Sequence, residues 1–237
     1  MRRLRKLLRL ARRSGYRRAL LRGVPAAIEH EGALRSLRLA GLVDVGANVG
    51  QFSALARALH PGLQIHAFEP LDEPARRFQR LFGQDAAAHL HRCAAGEAPG
   101  EALIHVSARP DSSSLLPISQ RQSELFPGTE EVAVRSIGVV RADDVIDAAG
   151  LPQPLLVKLD VQGFELAALK GMPAILARAD YVYAEVSFLP LYEGQPLADE
   201  VIAWLSERSF RLAGMYNMSY ASSGEAVQGD ALFRRAD

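Results

Sequence analysis

Apolar segments rich in β-forming residues alternate with helical patterns along this chain of 237 residues. Such alternation is typical of strand–helix–strand units and of a parallel sheet. It predicts strands over 42–46, 64–69, 89–94, 155–160 and 181–186, and helices over 24–40, 51–59, 72–82, 143–149, 165–177 and 196–209. Residues 103–107 and 132–140 are predicted to pair around a polar loop, 109–128, and 210–215 with 231–234 to close the sheet as an antiparallel pair.

The composition is that of a globular chain, with 49% hydrophobic and 23% charged residues, which excludes disorder as the dominant state. The single cysteine, Cys93, excludes a disulfide framework, and we interpret it as a buried small hydrophobe rather than a nucleophile. The histidines lack metal-ligand spacing, so no catalytic metal is expected. No apolar stretch has the length of a membrane span or a signal sequence, and we expect a cytoplasmic protein.

Positive charge is concentrated at the N-terminal end of the chain. Residues 2–22 contain ten basic and no acidic side chains, whereas the remainder carries a net charge of −9. Apolar residues at helical spacing from Leu4 predict a basic amphipathic helix, so we divide the chain into an N-terminal helix, 1–23, and one domain, 24–237. The helix has three interpretations: packing on the domain, contact with anionic lipid at the inner membrane face, or contact with nucleic acid. Tyr16 is its only aromatic residue, which disfavours the last.

A glycine-rich bend follows the first predicted strand, with the sequence VDVGANVG at 43–50. Small residues allow the backbone to approach a ligand closely, and the next helix offers its N-terminus. The spacing matches neither the dinucleotide fingerprint nor the Walker loop, so it favours a nucleoside carrying a carboxylate. Glu69 ends the second strand, 23 residues after Gly46, where nucleoside-binding α/β proteins place an acid for the ribose hydroxyls. The alternative is a solvated carboxylate at a strand end.

Two charged residues end the nearly all-apolar strand 155–160. Lys158 and Asp160 are two residues apart and therefore point to one face of the sheet. Charges there are costly unless they are paired or functional, and ligands bind at this edge of open α/β sheets. Glu185 ends the next predicted strand, near Asp160 if the two strands are neighbours. These three residues are candidate catalytic groups, and a plain Lys–Asp ion pair is the alternative.

Five segments together are similar to the FkbM-type methyltransferases: VDVGANVGQFS, AFEP, LLVKLDVQGFELAALKGM, AEVSFLPLYEGQPL and VQGDALFRR. The resemblance covers about residues 24–235. It implies S-adenosylmethionine as the cofactor and a class I methyltransferase Rossmann-like fold. That fold has a seven-stranded, mostly parallel sheet with helices on both faces and an antiparallel last strand. The one departure is Leu159, where the family usually has isoleucine.

The resemblance also implies roles for individual residues. The methionine end of the cofactor would be lined by Asp44, Gly46, Asn48 and Gly50, the ribose bound by Glu69, and the adenine flanked by Cys93, Ala94 and Ala95. Asp160 would stand at the methyl-transfer site, with Lys158, Gln162 and Glu165 around it.

The expected reaction is methyl transfer to a hydroxyl of a small molecule or glycan, with Asp160 as the general base, tuned by Lys158 or Glu185. The polar loop 109–128 and a rim aromatic, Tyr192, would shape the acceptor pocket. One alternative is a methyltransferase acting on protein or nucleic acid, which the negative domain and the DVQGF sequence at 160–164 disfavour. The other is a non-catalytic cofactor-binding scaffold, which the retained charges at strand ends disfavour. The oligomeric state is not predicted.

Overall fold

Two sheets organise the chain, whose computed structural model describes residues 13–236. The strands are β1 (Gly41–Val45), β2 (Gln64–Phe68), β3 (Ala88–His91), β4 (Ala94–Ala95), β5 (Gly100–Ser107), β6 (Glu131–Val140), β7 (Leu155–Leu159), β8 (Tyr181–Ser187), β9 (Phe210–Tyr220) and β10 (Ala226–Arg235). The α-helices are α1 (Ser14–Leu21), α2 (Glu31–Leu34), α3 (Gln51–Leu59), α4 (Asp72–Phe82), α5 (Gln120–Leu125), α6 (Ala142–Val145), α7 (Glu165–Lys170), α8 (Pro173–Arg178) and α9 (Ala198–Ser206). Short 3₁₀ turns lie at Ile28–His30, Pro110–Ser112 and Ala148–Gly150.

The larger sheet has seven strands in the order β3-β2-β1-β7-β8-β10-β9. Its strands are parallel except β10, which runs antiparallel to both β8 and β9. The predicted fold class is therefore confirmed, including the antiparallel last strand. The smaller sheet, in the order β4-β6-β5, lies beside the point where the chain leaves β3.

Alternate residues of the central strands face two separate cores. Leu42 and Leu156 pack with the N-terminal segments and α3, where Phe52 and Leu55 are buried. Val157, on the other face, packs with α7, α8 and α9. The strands β1 and β7 are buried along their whole length because helices cover both faces. A charged side chain on either strand is therefore buried, which is unusual for charged residues.

Helix α1 covers part of the first face. Its Tyr16 and Ala19 are buried, and Gly15 lies so close to α3 that an added Cβ would be 2.7 Å from the Cβ of Ala58. Leu21, in contrast, is 88% exposed. The apolar positions of the predicted basic helix between 4 and 11 lie outside the described residues, so the membrane interpretation stays a prediction. Within residues 13–236 no helix is both long and apolar enough to cross a membrane.

Several predicted elements are divided or shorter in the structure. The strand predicted over 89–94 ends at His91, because the chain then turns to pair Ala94–Ala95 with β6 in the smaller sheet. The helix predicted over 165–177 breaks between α7 and α8, where Pro173 begins a new helix. The helix predicted over 24–40 is reduced to the turn Ile28–His30 and α2. The polar loop 109–128 contains α5, which Ser119 caps by accepting from the N–H of Gln122.

Candidate active site

A cavity of about 250 Å³ opens at the carboxyl edge of the larger sheet. Its walls come from the ends of β1, β2 and β7, from the start of the smaller sheet and from the polar loop. The lining includes Gly46, Ala47, Asn48, Glu69, Leu71, Ala94, Ala95, Asp111, Ser113, Lys158, Asp160, Gln162 and Phe164. This edge is where open α/β sheets bind ligands.

The glycine-rich bend forms one wall because its backbone adopts left-handed conformations. Gly46 has φ +75°, and a Cβ there would lie 1.9 Å from the backbone oxygen of Asp160, so only glycine fits between β1 and β7. Gly50 has φ +90° at the start of α3, where a Cβ would meet the ring of Phe78 at 2.9 Å. The bend therefore packs directly against the end of β7.

Glu69 is held rigidly at the end of β2. Its Oε2 accepts the backbone N–H of Asn48 at 2.9 Å, and its Oε1 accepts that of Leu71 at 2.8 Å. The side chain is 6% exposed and lines the cavity. Burial raises the pKa of Glu69 to about 7, against the two backbone hydrogen bonds that favour its ionised form. The solvated-carboxylate alternative is wrong, because this group is buried and fixed.

Lys158 links β7 to β1 beneath the cavity. It lies opposite Asp44 in the strand register, and its Nζ is 3.1 Å from Oδ1 of Asp44. The same ammonium donates to the backbone oxygen of Gly46 at 2.7 Å. Burial opposes the charge on Lys158, but the neighbouring Asp44 and Asp160 carboxylates outweigh it, so the pKa lies above its ordinary value. Asp44 also accepts from the Ser53 hydroxyl at 2.7 Å.

Asp160 is the more accessible carboxylate, with 41% of its side chain exposed. The amide nitrogen of Gln162 donates to Oδ1 of Asp160 at 2.8 Å and to Oε2 of Glu185 at 2.6 Å. Gln228 donates to the other oxygen of Glu185 at 2.8 Å. Burial, followed by the charges of Asp160 and Asp230, raises the pKa of Glu185 well above its ordinary range. Glu185 thus lies behind Asp160, with each of its carboxylate oxygens held by a glutamine amide.

The predicted site residues separate into a lining set and a supporting set. The cavity wall contains Gly46, Asn48, Glu69, Ala94, Lys158, Asp160 and Gln162. The wall does not include Asp44, Gly50, Cys93, Glu165 or Glu185. Cys93 packs against the second core instead, and burial raises the pKa of its thiol.

The expected rim position of Tyr192 is wrong. Its side chain is 2% exposed, and its hydroxyl lies 2.7 Å from Oε1 of Gln162 and 3.0 Å from the backbone oxygen of Ser112. Tyr192 therefore supports Gln162 from behind. The polar loop does reach the cavity, through residues such as Asp111 and Ser113.

The sequence reasoning missed a polar cluster next to Lys158. His30 lines the cavity, and its Nδ1 lies 3.2 Å from Oδ2 of Asp230. Asn217 donates to the same carboxylate oxygen at 2.7 Å, and the hydroxyl of Tyr183 lies 3.0 Å from the same Nδ1. The VQGDALFRR motif contained Asp230, but no motif marked His30.

Comparison with known proteins decides the family. The methyltransferase FkbM domain matches residues 44–212, which span the bend, Glu69, Asp160 and Glu185. The chain belongs to the FkbM methyltransferase family. It is a methyltransferase that depends on S-adenosylmethionine.

Relatives in this family include the 2-O-methyltransferase NoeI of Sinorhizobium fredii, which is 28% identical over 81% of this chain and 78% of NoeI. The 31-O-demethyl-FK506 methyltransferase FkbM of Streptomyces tacrolimicus is 28% identical over 76% of each chain. The hexuronic acid methyltransferase AglP of Haloferax volcanii is 28% identical over 61% of this chain and 55% of AglP. The names of FkbM and AglP give two different methyl acceptors.

Proposed function

We propose that this FkbM-type enzyme transfers a methyl group to a hydroxyl oxygen of a small molecule or glycan. The observation that carries the proposal is the accessible Asp160, which lines the same cavity as the fixed Glu69. The cavity thus offers Glu69 to a ribose and Asp160 to a polar acceptor. The names of NoeI and FkbM both place the methyl group on oxygen, which supports the same reaction.

The cavity residues fit the cofactor. Each oxygen of Glu69 accepts one backbone N–H, which leaves a further lone pair on each for a ribose hydroxyl. The bend at Gly46 and Asn48 would hold the methionine end, and the apolar pair Ala94 and Ala95 would flank the adenine. When bound, S-adenosylmethionine supplies an activated methyl group and its own leaving group.

Besides binding the cofactor, the protein must align the acceptor hydroxyl and remove its proton. Lys158 fixes the bend through Gly46, and Gln162 fixes the carboxylate of Asp160. Asp160 can accept a hydrogen bond from the acceptor hydroxyl and so orient it for in-line attack. Proton removal from that hydroxyl needs a base, for which Asp160 and His30 are the candidates in the cavity wall.

The test uses S-adenosylmethionine labelled with ¹³C at the methyl group and a defined acceptor panel. The panel contains neutral methyl glycosides, a hexuronic acid, an amino sugar, a phenol, a mixed peptide library and RNA. We expect the label on oxygen of a glycoside or small molecule. Label on nitrogen of a peptide or RNA would contradict the proposal. Asp160→Asn, which weakens the hydrogen bond that orients the acceptor hydroxyl, should lower turnover about 100-fold while leaving cofactor affinity nearly unchanged.

The cytoplasmic location and contact of the N-terminal segment with the inner membrane face remain proposals. The ten basic side chains in residues 2–22 support them. Co-sedimentation with phosphatidylglycerol vesicles, compared with phosphatidylcholine vesicles, tests the contact. Equal sedimentation with both would contradict it.

A further inference from the structure

A histidine ring is fixed in the cavity wall by aromatic neighbours. His30 ends the turn Ile28–His30, and 20% of its side chain is exposed. Its ring packs edge-on against the rings of Phe52 and Tyr183, with centroids 5.5 and 5.7 Å away. These contacts hold the plane of the imidazole, so its two nitrogens keep defined directions.

One nitrogen of this ring faces a buried carboxylate. Nδ1 lies 3.2 Å from Oδ2 of Asp230, which is 8% exposed. Asn217 donates to that oxygen at 2.7 Å and its amide nitrogen also lies 3.1 Å from Nδ1, while the Tyr183 hydroxyl lies 3.0 Å from Nδ1. Of these three neighbours of Nδ1, the carboxylate of Asp230 is the one that can only accept, and the Asn217 amide gives its shorter hydrogen bond to that carboxylate. The arrangement favours the tautomer with its proton on Nδ1.

The other nitrogen, Nε2, is not engaged by the part of the chain that the structure describes. Within residues 13–236 no group lies at hydrogen-bond distance from Nε2 of His30. In the Nδ1-protonated tautomer, Nε2 carries a lone pair at the wall of the cavity that also contains Asp160 and Lys158. Those two groups are already engaged, Asp160 by Gln162 at 2.8 Å and Lys158 by carboxylate and backbone oxygens.

We infer that His30, oriented by Asp230, is the catalytic base that removes the proton from the acceptor hydroxyl. The inference rests on the proposed function. As the hydroxyl oxygen bonds to the methyl carbon, the carbon–sulfur bond breaks, its electron pair stays on sulfur, and the hydroxyl proton moves to Nε2. The positive charge passes from the sulfonium to the imidazolium, which Asp230 stabilises. The products are a neutral ether and a neutral thioether, and the proton then leaves to solvent.

The order of the strands explains how His30 and Asp230 come into contact. Asp230 is in register with Glu185 in the β10–β8 pair, two positions from Leu232, which faces Tyr183. Asp230, Tyr183 and Lys158 therefore share one face of the sheet, the face that the N-terminal segment covers. His30 reaches them from that segment, 200 residues away in sequence from Asp230.

The first test needs no acceptor. Two-bond ¹H–¹⁵N correlation spectra of the ¹⁵N-histidine-labelled protein identify which ring nitrogen carries the proton, with His30→Gln providing the assignment. We expect the neutral ring of His30 to be protonated on Nδ1, and Asp230→Asn to shift it toward the Nε2-protonated form. A neutral ring protonated on Nε2 in the wild-type protein would overturn the inference, because that nitrogen could not accept a proton.

The second test measures methyl transfer to whichever panel acceptor the wild-type enzyme methylates. His30→Gln should lower the rate about 100- to 10,000-fold while the Kd for S-adenosylhomocysteine changes less than about threefold. His89→Gln, a change at an exposed histidine of β3, is the matched control and should keep full activity. Normal turnover by His30→Gln would overturn the base assignment and leave the methyltransferase function intact. Wild-type protein that methylates no hydroxyl would instead refute the proposed function, and the spectra would still decide the tautomer.

Discussion

Lys158→Met removes the positive charge from a buried ion pair. Lys158 and Asp44 are 5% and 0% exposed, and their charged atoms are 3.1 Å apart. After the substitution, Asp44 keeps the Ser53 hydroxyl, but its Oδ1 accepts no hydrogen bond from residues 13–236. Breaking a buried pair in this way costs about 3–5 kcal/mol. For a chain of this size that corresponds to a fall in Tm of roughly 6–20 °C.

The assay is urea unfolding followed by circular dichroism, with Lys170→Met as the matched control. The Nζ of Lys170 lies 3.7 Å from Glu97, but both side chains are largely solvated, so the control should lose less than about 1 kcal/mol. The double variant Lys158→Met, Asp44→Leu should recover part of the loss, since no uncompensated charge remains. A free energy of unfolding for Lys158→Met within about 1 kcal/mol of wild type would refute this reasoning.

Three further variants test the site. Gly46→Ala should abolish binding of S-adenosylhomocysteine in a calorimetric titration, because its Cβ would lie 1.9 Å from a backbone oxygen; unchanged affinity would contradict this. Cofactor affinity should rise with pH and level off above about 7, as Glu69 ionises to accept hydroxyl donors; Glu69→Gln should flatten that dependence. Burial raises the pKa of Glu165 from 4.5 to about 7, so its stabilising effect is complete below 4.5 and lost as pH rises through 7. Glu165→Gln should therefore gain stability relative to wild type above pH 7, and a pH-independent difference in urea unfolding would oppose this.

Strongly periodic segments with clear end signals could be predicted from the sequence. The helices 51–59 and 72–82 have the predicted bounds, since a glycine-rich bend begins the first and Pro74 lies in the first turn of the second. The helix over 165–177 could not be placed correctly from its apolar pattern, because that pattern continues across Gly171 although the backbone turns there. Likewise, the family resemblance implies that Cys93 flanks the adenine, on the expectation of a strand over 89–94. That strand ends two residues earlier.

Contacts that depend on strand register could not be predicted from the sequence. Lys158 and Asp160 were recognised as a pair on one face, but the closer partner of Lys158 is Asp44, which faces it across the β1–β7 register. The His30–Asp230 contact needs both the order of seven strands and the path of the segment before β1. Local patterns therefore identified the elements that line the cavity, and only the fold brought together the groups that support them.

The central claim is that the cavity between Glu69 and Asp160 binds the cofactor. Calorimetric titration with S-adenosylhomocysteine tests it most directly, using wild type, Glu69→Ala and the matched surface variant Glu73→Ala. Glu73 lies four residues along, on the exposed side of α4. The account predicts micromolar binding by the wild type and by Glu73→Ala, and loss of binding by Glu69→Ala. Undiminished binding by Glu69→Ala, or none by the wild type, would contradict it.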